Sequence, residues 1–194
     1  LIHFASRDAM NIDGLGDRIM EDFYNFGFIG NIADIYSLKN HETDLIRLEG
    51  FGDKSVSNLL EAIENSKGNS LERLIFALGI SGIGEKNAKI LAKKYNTIDN
   101  LSNATYEELV SINDMGPILA KNIVDYFSNV ENLTLINNLK NIGINMNYLG
   151  EKIVENKHFL NKKFVVTGSL NNFGRDEIKS IIEKNGGVTS SSVS

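Results

Sequence analysis

The stretch Ile80-Ser81-Gly82-Ile83-Gly84-Glu85-Lys86-Asn87-Ala88-Lys89 decides the fold, because its opening pattern recurs along the chain. A hydrophobic residue, any residue, glycine, a hydrophobic residue and glycine come again as Ile12-Asp13-Gly14-Leu15-Gly16 and as Leu48-Glu49-Gly50-Phe51-Gly52. An imperfect fourth copy is Ile112-Asn113-Asp114-Met115-Gly116, in which Asp114 stands at the place of the first glycine. Measured at that place, the copies are 36, 32 and 32 residues apart, and each leads into an amphipathic helical segment. A period of this size marks a repeated supersecondary unit.

The residue types have a physical logic. A helix that hands over to a second helix within a few residues needs a left-handed residue at its end, which glycine supplies at little cost. The hydrophobic residue between the glycines (Leu15, Phe51, Ile83, Met115) turns inward and pins the turn, and the second glycine (Gly16, Gly52, Gly84, Gly116) removes the side chain at the start of the next helix. Backbone N–H groups are then uncovered at a helix N-terminus, where free donors and the positive end of the macrodipole favour an anion such as a phosphate. Cations follow within reach of a neighbouring phosphate: Arg18, Lys54, Lys86 with Lys89, and Lys121. The candidate phosphate-contacting set is therefore Gly14, Leu15, Gly16, Arg18, Gly50, Phe51, Gly52, Lys54, Gly82, Ile83, Gly84, Lys86, Lys89, Gly116 and Lys121. In the fourth copy Asp tolerates the left-handed region, but its carboxylate would face a phosphate. That copy is expected to bind DNA most weakly or to be structural. The competing reading of one such turn is a tight helix junction with no ligand; four copies at near-equal spacing, each followed by a base, weigh against it.

The 194 residues carry 42% hydrophobic side chains, enough to bury a core. There is no Cys, and His3, His41 and His158 are widely spaced, so neither a disulfide nor a thiolate or His-cluster metal site is expected. No apolar run approaches the ~18 residues of a membrane span, and the opening Leu1-Ile2-His3-Phe4 lacks the form of a signal peptide. The expectation is a soluble protein acting inside the cell, and a start other than Met suggests a piece of a longer chain. The net charge of −5 is an objection to DNA binding, and residues 1–158 are more acidic, with 15 Lys and Arg against 22 Asp and Glu. Backbone amides do not enter that count, so modest and salt-sensitive affinity is expected.

Helical periodicity predicts a helix over 17–27 with Ile19, Met20, Phe23 and Phe26 on its buried face, and short helices over 31–38 and 42–48. It predicts further helices over 53–65 (Val56, Leu59, Leu60, Ile63 inward), from an N-cap at Ser70 to Leu78, and over 85–95. Thr105-Tyr106-Glu107-Glu108 reads as a capping box, Pro117 fits a first helical turn, and a helix over 131–142 stops at Gly143. Residues 144–158 read as a polar linker. The grammar then changes: Phe164-Val165-Val166-Thr167-Gly168 is a strand ending in a turn, 175–185 a helix with Ile178, Ile181 and Ile182 inward, and Gly186-Gly187-Val188 the entry to a second strand. That is the beginning of an α/β domain, too short to be complete.

The repeated turns resemble helix-hairpin-helix motifs, which bind duplex DNA through the phosphates flanking the minor groove. The segment from Ile2-His3-Phe4-Ala5-Ser6-Arg7-Asp8 to Gly16 resembles the stretch that follows the zinc finger in bacterial NAD-dependent DNA ligases. Leu48 to Ser55 and Phe76 to Lys86 continue the match, and Phe164 to Gly187 resembles the start of the BRCT domain that closes those enzymes. The resemblance implies a fold that is mainly α: four tandem helix-hairpin-helix units in residues 1–143, a linker over 144–158, and a truncated α/β, BRCT-like segment over 159–194.

It also implies a role. In that family the hairpin domain grips duplex DNA around a nick, and the enzyme joins a 3′-hydroxyl to a 5′-phosphate through an adenylated lysine with NAD as donor. The chain lacks the Lys-x-Asp-Gly nucleophile motif, since Asn11 stands where that lysine would precede Asp13-Gly14, so no catalytic residue and no bound cofactor is expected in it. NAD, magnesium and zinc are expected of the full-length enzyme. The implied partners are nicked double-stranded DNA and the adenylation, OB and zinc-finger parts of the same polypeptide, and the implied location is the bacterial cytoplasm near the nucleoid. Thr167-Gly168 matches the phosphate-contacting turn of some BRCT domains and otherwise reads as a strand-end turn. Two rivals come from other classes. One is a helix-hairpin-helix glycosylase or nuclease using Lys86 and Asp99, weakened by the absence of Trp or a His cluster to build a base pocket. The other is a helical protein-interaction domain, favoured by the acidic charge.

Overall fold

The computed structural model describes residues 1–150, 162–167, 174, 178–179, 181–182 and 188–190, and the chain divides into two units, Leu1–Tyr148 and Leu149–Ser194.

In the first unit the helices are α1 (Ile2–Ala5), α2 (Asp17–Asn25), α3 (Ile32–Ile35), α4 (Glu42–Ile46), α5 (Asp53–Ser66), α6 (Leu71–Ala77), α7 (Glu85–Tyr95), α8 (Ile98–Ser102), α9 (Tyr106–Val110), α10 (Pro117–Ser128) and α11 (Val130–Ile142). A 3₁₀ turn, Leu38–His41, joins α3 to α4. Four helix pairs enclose the four repeated turns: α1 with α2, α4 with α5, α6 with α7, and α9 with α10. Short polar side chains set several of the other starts. Asn31 with Asp34 and Thr105 with Glu108 form reciprocal capping boxes, and Thr97 accepts from the Asn100 amide. Ser70 precedes α6 as expected but caps nothing with its side chain; its hydroxyl donates to the Glu72 carboxylate instead.

The predicted apolar faces are buried: Met20 and Phe23 on α2, Val56, Leu59 and Ile63 on α5, and Ala88, Leu91 and Ala92 on α7. Phe26 departs from the expectation. Helix α2 ends at Asn25, so Phe26 lies past the last turn and is 59% exposed, with its ring edge-on to Phe28 at 6.1 Å.

The hairpins pack in two pairs. The first turn lies against the second hairpin, a Cβ built at Gly14 standing 3.6 Å from Leu59 Cδ1, and the Phe23 and Phe51 rings are 5.5 Å apart. The third turn lies against the fourth hairpin: Asn122 on α10 donates to the Ser81 carbonyl at 3.0 Å, and a Cβ at Gly82 would stand 2.6 Å from Leu119 Cδ2. Side chains at the start of α6 tie the two pairs together. Asn69 donates to the Met10 carbonyl and Arg73 Nε to the Ala9 carbonyl, each at 2.7 Å.

The linker expected over 144–158 is corrected in its first part. Residues 144–148 belong to the helical unit, with Ile144 and Met146 buried in its core. Their backbone is also engaged: the Asn145 amide donates to Lys67 O at 2.8 Å, Leu71 to Asn147 O at 3.1 Å, Ile98 to Met146 O at 3.0 Å, and Tyr148 to Asn96 O at 2.7 Å. The alternation of Ile144 and Met146 between polar residues is a strand-like pattern, and an isolated antiparallel bridge joins Thr97 to Asn147. Residues 151–158 of the expected linker lie outside the described residues.

In the second unit β1 (Lys163–Val165) pairs in parallel with β2 (Val188–Ser190), Phe164 opposite Thr189. Residues 178–179 and 181–182 are helical, with Ile182 buried. Parallel neighbours need a crossover, as the expected strand–helix–strand order supplies. Gly168 and Gly186-Gly187 lie outside the described residues.

Two stability predictions follow from this packing. Replacing both Ile144 and Met146 by Ala lowers the unfolding free energy by about 4 kcal/mol or more in a urea titration, since each truncation of a buried side chain costs about 2–5 kcal/mol; for a free linker the change would stay within about 0.5 kcal/mol. Gly82→Ala costs about 1–3 kcal/mol because Gly82 has φ +77° and Leu119 must move aside, whereas Gly84→Ala, at φ −85° with open space around it, changes thermal stability little.

Candidate nucleic-acid interface

The four turns share one backbone. Gly14, Gly50 and Gly82 have φ of 85°, 83° and 77°, and Asp114 takes the same region at 67°. Each left-handed residue is followed by the hydrophobic pin, whose amide closes the turn on the carbonyl three residues back: Leu15 to Ile12 at 3.3 Å, and Phe51 to Leu48, Ile83 to Ile80 and Met115 to Ile112 at 3.0 Å. Leu15, Ile83 and Met115 are buried and Phe51 half-buried, so the pin fixes where the next helix begins.

The second glycine of each copy is the N-cap of the following helix, extended with ψ between 170° and 178°. A Cβ added at Gly16, Gly52, Gly84 or Gly116 would meet nothing within 4 Å. These glycines thus leave empty space in front of a helix start, where a helix has orphan donors. None of α2, α5, α7 and α10 has a side-chain oxygen capping its first turn, although in copy two the Gly52 amide is taken by Ser55 Oγ at 2.9 Å. In copy four Pro117 is the first helical residue and has no N–H to offer.

The cations fall into distinct surroundings. Arg18, Lys54 and Lys86 each stand two residues past the second glycine, in the first turn of their helices. Arg18 and Lys54 carry no ion pair among the described residues. Arg18 also lines a cleft between α2 and the second turn, with Phe26, Leu48, Glu49, Gly50 and Phe51. Lys86 Nζ, by contrast, is 2.7 Å from Asp114 Oδ2, so the cation of the third copy is held by the acid of the fourth. The Lys86 hydrogen bond, and then its charge, hold the Asp114 carboxyl below its usual value. Lys121 pairs with Asp125 one turn along α10. In the fourth copy the place two past the glycine belongs to Ile118, which is 76% exposed. Lys89 lies one turn further along α7 than Lys86.

The turns, their pins and their first-turn cations were legible from the repeat. Two features were not. Arg7 lines a concavity of about 520 Å³ together with Asn11 and the turn Ile12 to Asp17. It is brought there because the segment between α1 and the first turn folds back on α1, the Met10 and Ile12 amides donating to the Phe4 and Ala5 carbonyls. The contact between Lys86 and Asp114 depends on how the third and fourth hairpins pack, for which the only hint was the acid at a glycine's place.

Among the described residues no group of three or more His, Cys, Asp and Glu is placed to hold a metal ion, and no helix is long and apolar enough to cross a membrane.

The sequence matches known families in three stretches. Residues 6–65 match the SAM-like helix-hairpin-helix tandem family, residues 73–136 the helix-hairpin-helix motif family, and residues 154–194 the BRCA1 C Terminus (BRCT) domain family. The first two matches coincide with the two hairpin pairs. The whole chain is also similar to a DNA ligase of Mycoplasma capricolum at 50% identity over 194 residues and to one of Thermoanaerobacter pseudethanolicus at 47%. A DNA ligase of Bacillus cereus is 46% identical over 198 aligned residues. In each case the chain spans 29% of the relative's length. With two helix-hairpin-helix matches and a BRCT match in one order, and near half of its residues shared throughout, the chain is similar along its whole length to part of bacterial DNA ligases.

Proposed function

We propose that this chain binds duplex DNA without sequence preference, by presenting helix N-terminal amides to backbone phosphates, as the DNA-gripping part of an NAD-dependent ligase that seals nicks in replication and repair. The observation that carries the reading is the open space in front of Gly16, Gly52 and Gly84, each followed by a helix start and a cation two residues on. Such a site senses charge and backbone spacing and has no means of reading base edges.

The contributions of the candidate residues differ in this reading. Gly14, Gly50 and Gly82 shape the turns, and Leu15, Phe51 and Ile83 hold them at the right depth. The amides after Gly16, Gly52 and Gly84 meet phosphate, and Arg18, Lys54, Lys86 and Lys89 add charge to it. Gly116 and Lys121 contribute least, since Pro117 removes a donor and Lys121 is paired with Asp125. The adenylation, OB and zinc-finger parts of the same polypeptide supply the catalysis, with NAD, magnesium and zinc as their cofactors, in the bacterial cytoplasm. This chain contributes position: it keeps the duplex in place while those parts act on the nick.

The test is fluorescence anisotropy with nicked, intact and single-stranded DNA of unrelated sequences at two salt concentrations. Gly52→Leu and Gly84→Leu are expected to weaken duplex binding at least tenfold with unchanged circular dichroism, because neither position has positive φ and neither is crowded. Each lost phosphate contact should also lower the salt slope by about 0.9. Unchanged affinity in both variants would sink the amide-cradle mechanism, and failure of the parent chain to bind any duplex at low salt would favour the protein-interaction reading that its acidity allows.

A further inference from the structure

The fourth turn keeps the backbone of the other three and reverses its chemistry. Asp114 adopts the left-handed conformation at φ 67°, Pro117 withdraws the first helical N–H, and the exposed Ile118 replaces the cation. Three departures at one turn point the same way, toward a turn that does not attract a phosphate. Yet the turn is not idle. Asp114 Oδ2 stands 2.7 Å from Lys86 Nζ, across from a helix start that retains its free N-cap glycine and its N–H groups. The two hairpins are held side by side by Asn122 Nδ2 donating to the Ser81 carbonyl and by the fit of Leu119 against Gly82, so the pairing follows from their packing.

We propose that Asp114 is an internal competitor for phosphate: its carboxylate occupies Lys86 in the DNA-free chain, and the fourth hairpin thereby lowers the affinity of the third for DNA. The proposal rests on the duplex-binding reading and adds a role for the acid. Both partners lie in solvent, the Lys86 and Asp114 side chains being 76% and 60% exposed. An exposed pair of this kind is weak, equivalent to about a two- to fivefold effect on an equilibrium. A duplex phosphate, which can accept from Lys86 and from the amides of α7 together, can therefore displace the carboxylate. The displaced carboxylate remains beside the phosphate and repels it, so the brake has two parts, the pair that must be broken and the repulsion that remains. Both are electrostatic and both vanish when the acid becomes an amide.

The experiment is a double-mutant cycle on the full chain with Asp114→Asn and Lys86→Ala, read as duplex affinity across a salt series, with Gly84→Leu as the control for the amide site. Asn retains access to left-handed backbone, so the turn should persist. The expected result is a three- to tenfold tighter Asp114→Asn variant with a salt slope steeper by up to about 0.9. Lys86→Ala should cost about two- to fivefold more in the Asp114→Asn background than in the parent. If the parent binds, Gly84→Leu does not, and Asp114→Asn gains nothing while Lys86→Ala costs the same in both backgrounds, the competitor role is overturned and the amide mechanism stands. If neither the parent nor Asp114→Asn binds duplex at the lowest salt, both are overturned. A weaker Asp114→Asn variant would overturn the competitor role as well, since it would mean that the acid positions Lys86 for DNA.

Discussion

One backbone constraint governs this molecule: between two helices that nearly touch, a single residue must take positive φ. Everything around the turn follows from it. The left-handed residue reverses the chain, the next amide closes on the carbonyl three residues back, and the intervening side chain is driven into the core. Once the pin is buried, the start of the following helix has no freedom of position. The free N–H groups of that helix are thus placed by the hydrophobic core, although they lie on the surface. That coupling holds the amides of the proposed anion site as firmly as regular structure would.

The pairing of hairpins converts these turns from isolated features into neighbours. In both pairs the turn of the first hairpin leans on the second helix of the next, Gly14 on Leu59 and Gly82 on Leu119. The absence of a side chain at the left-handed position thus serves twice, for backbone conformation and for close approach. Asp114 shows that the two demands are separable, since it meets the conformational one at φ 67° in a turn that faces solvent and the Lys86 side chain. An aspartate at Gly82 would satisfy the first demand and drive its Cβ to within 2.6 Å of Leu119 Cδ2.

The repeat made the hairpins legible because period, turn residue and helix start are all local. The helices expected over 17–27, 53–65 and 85–95 from apolar spacing form over 17–25, 53–66 and 85–95, and the caps at Thr105 and Gly143 followed from residue type. What could not be read depends on distant contacts. Residues 144–148 looked like a linker because nothing local shows that Asn145 and Asn147 bond to backbone at Lys67, Asn69 and Leu71. Phe26 looked like core because its spacing continued the α2 stripe, and only the end of that helix at Asn25 removes it. In the site, the cations were legible as residues but their availability was not: Lys86 and Lys121 have acidic partners that a list of bases does not reveal.

The acidic balance of the chain bears on the proposed DNA contact less than its size suggests. At about 0.1 M ionic strength, charges further apart than about 10 Å are largely screened. Acids on the outer faces of the helices therefore contribute little at a phosphate held against a helix start. What counts there is the set of groups within hydrogen-bond reach: amides, which carry no formal charge, one or two cations, and any acid in the same turn. In the first three copies a cation two residues past the glycine stands beside an acid at the first helical residue (Asp17, Asp53, Glu85). The fourth has no acid in its first helical turn but has Asp114 in the turn, Pro117 lacking a donor and Ile118 in the cation's place. The net charge of −5 is a property of the whole surface, whereas in the proposed contact affinity for a backbone phosphate is set by the groups within a few ångströms of Gly16, Gly52 and Gly84.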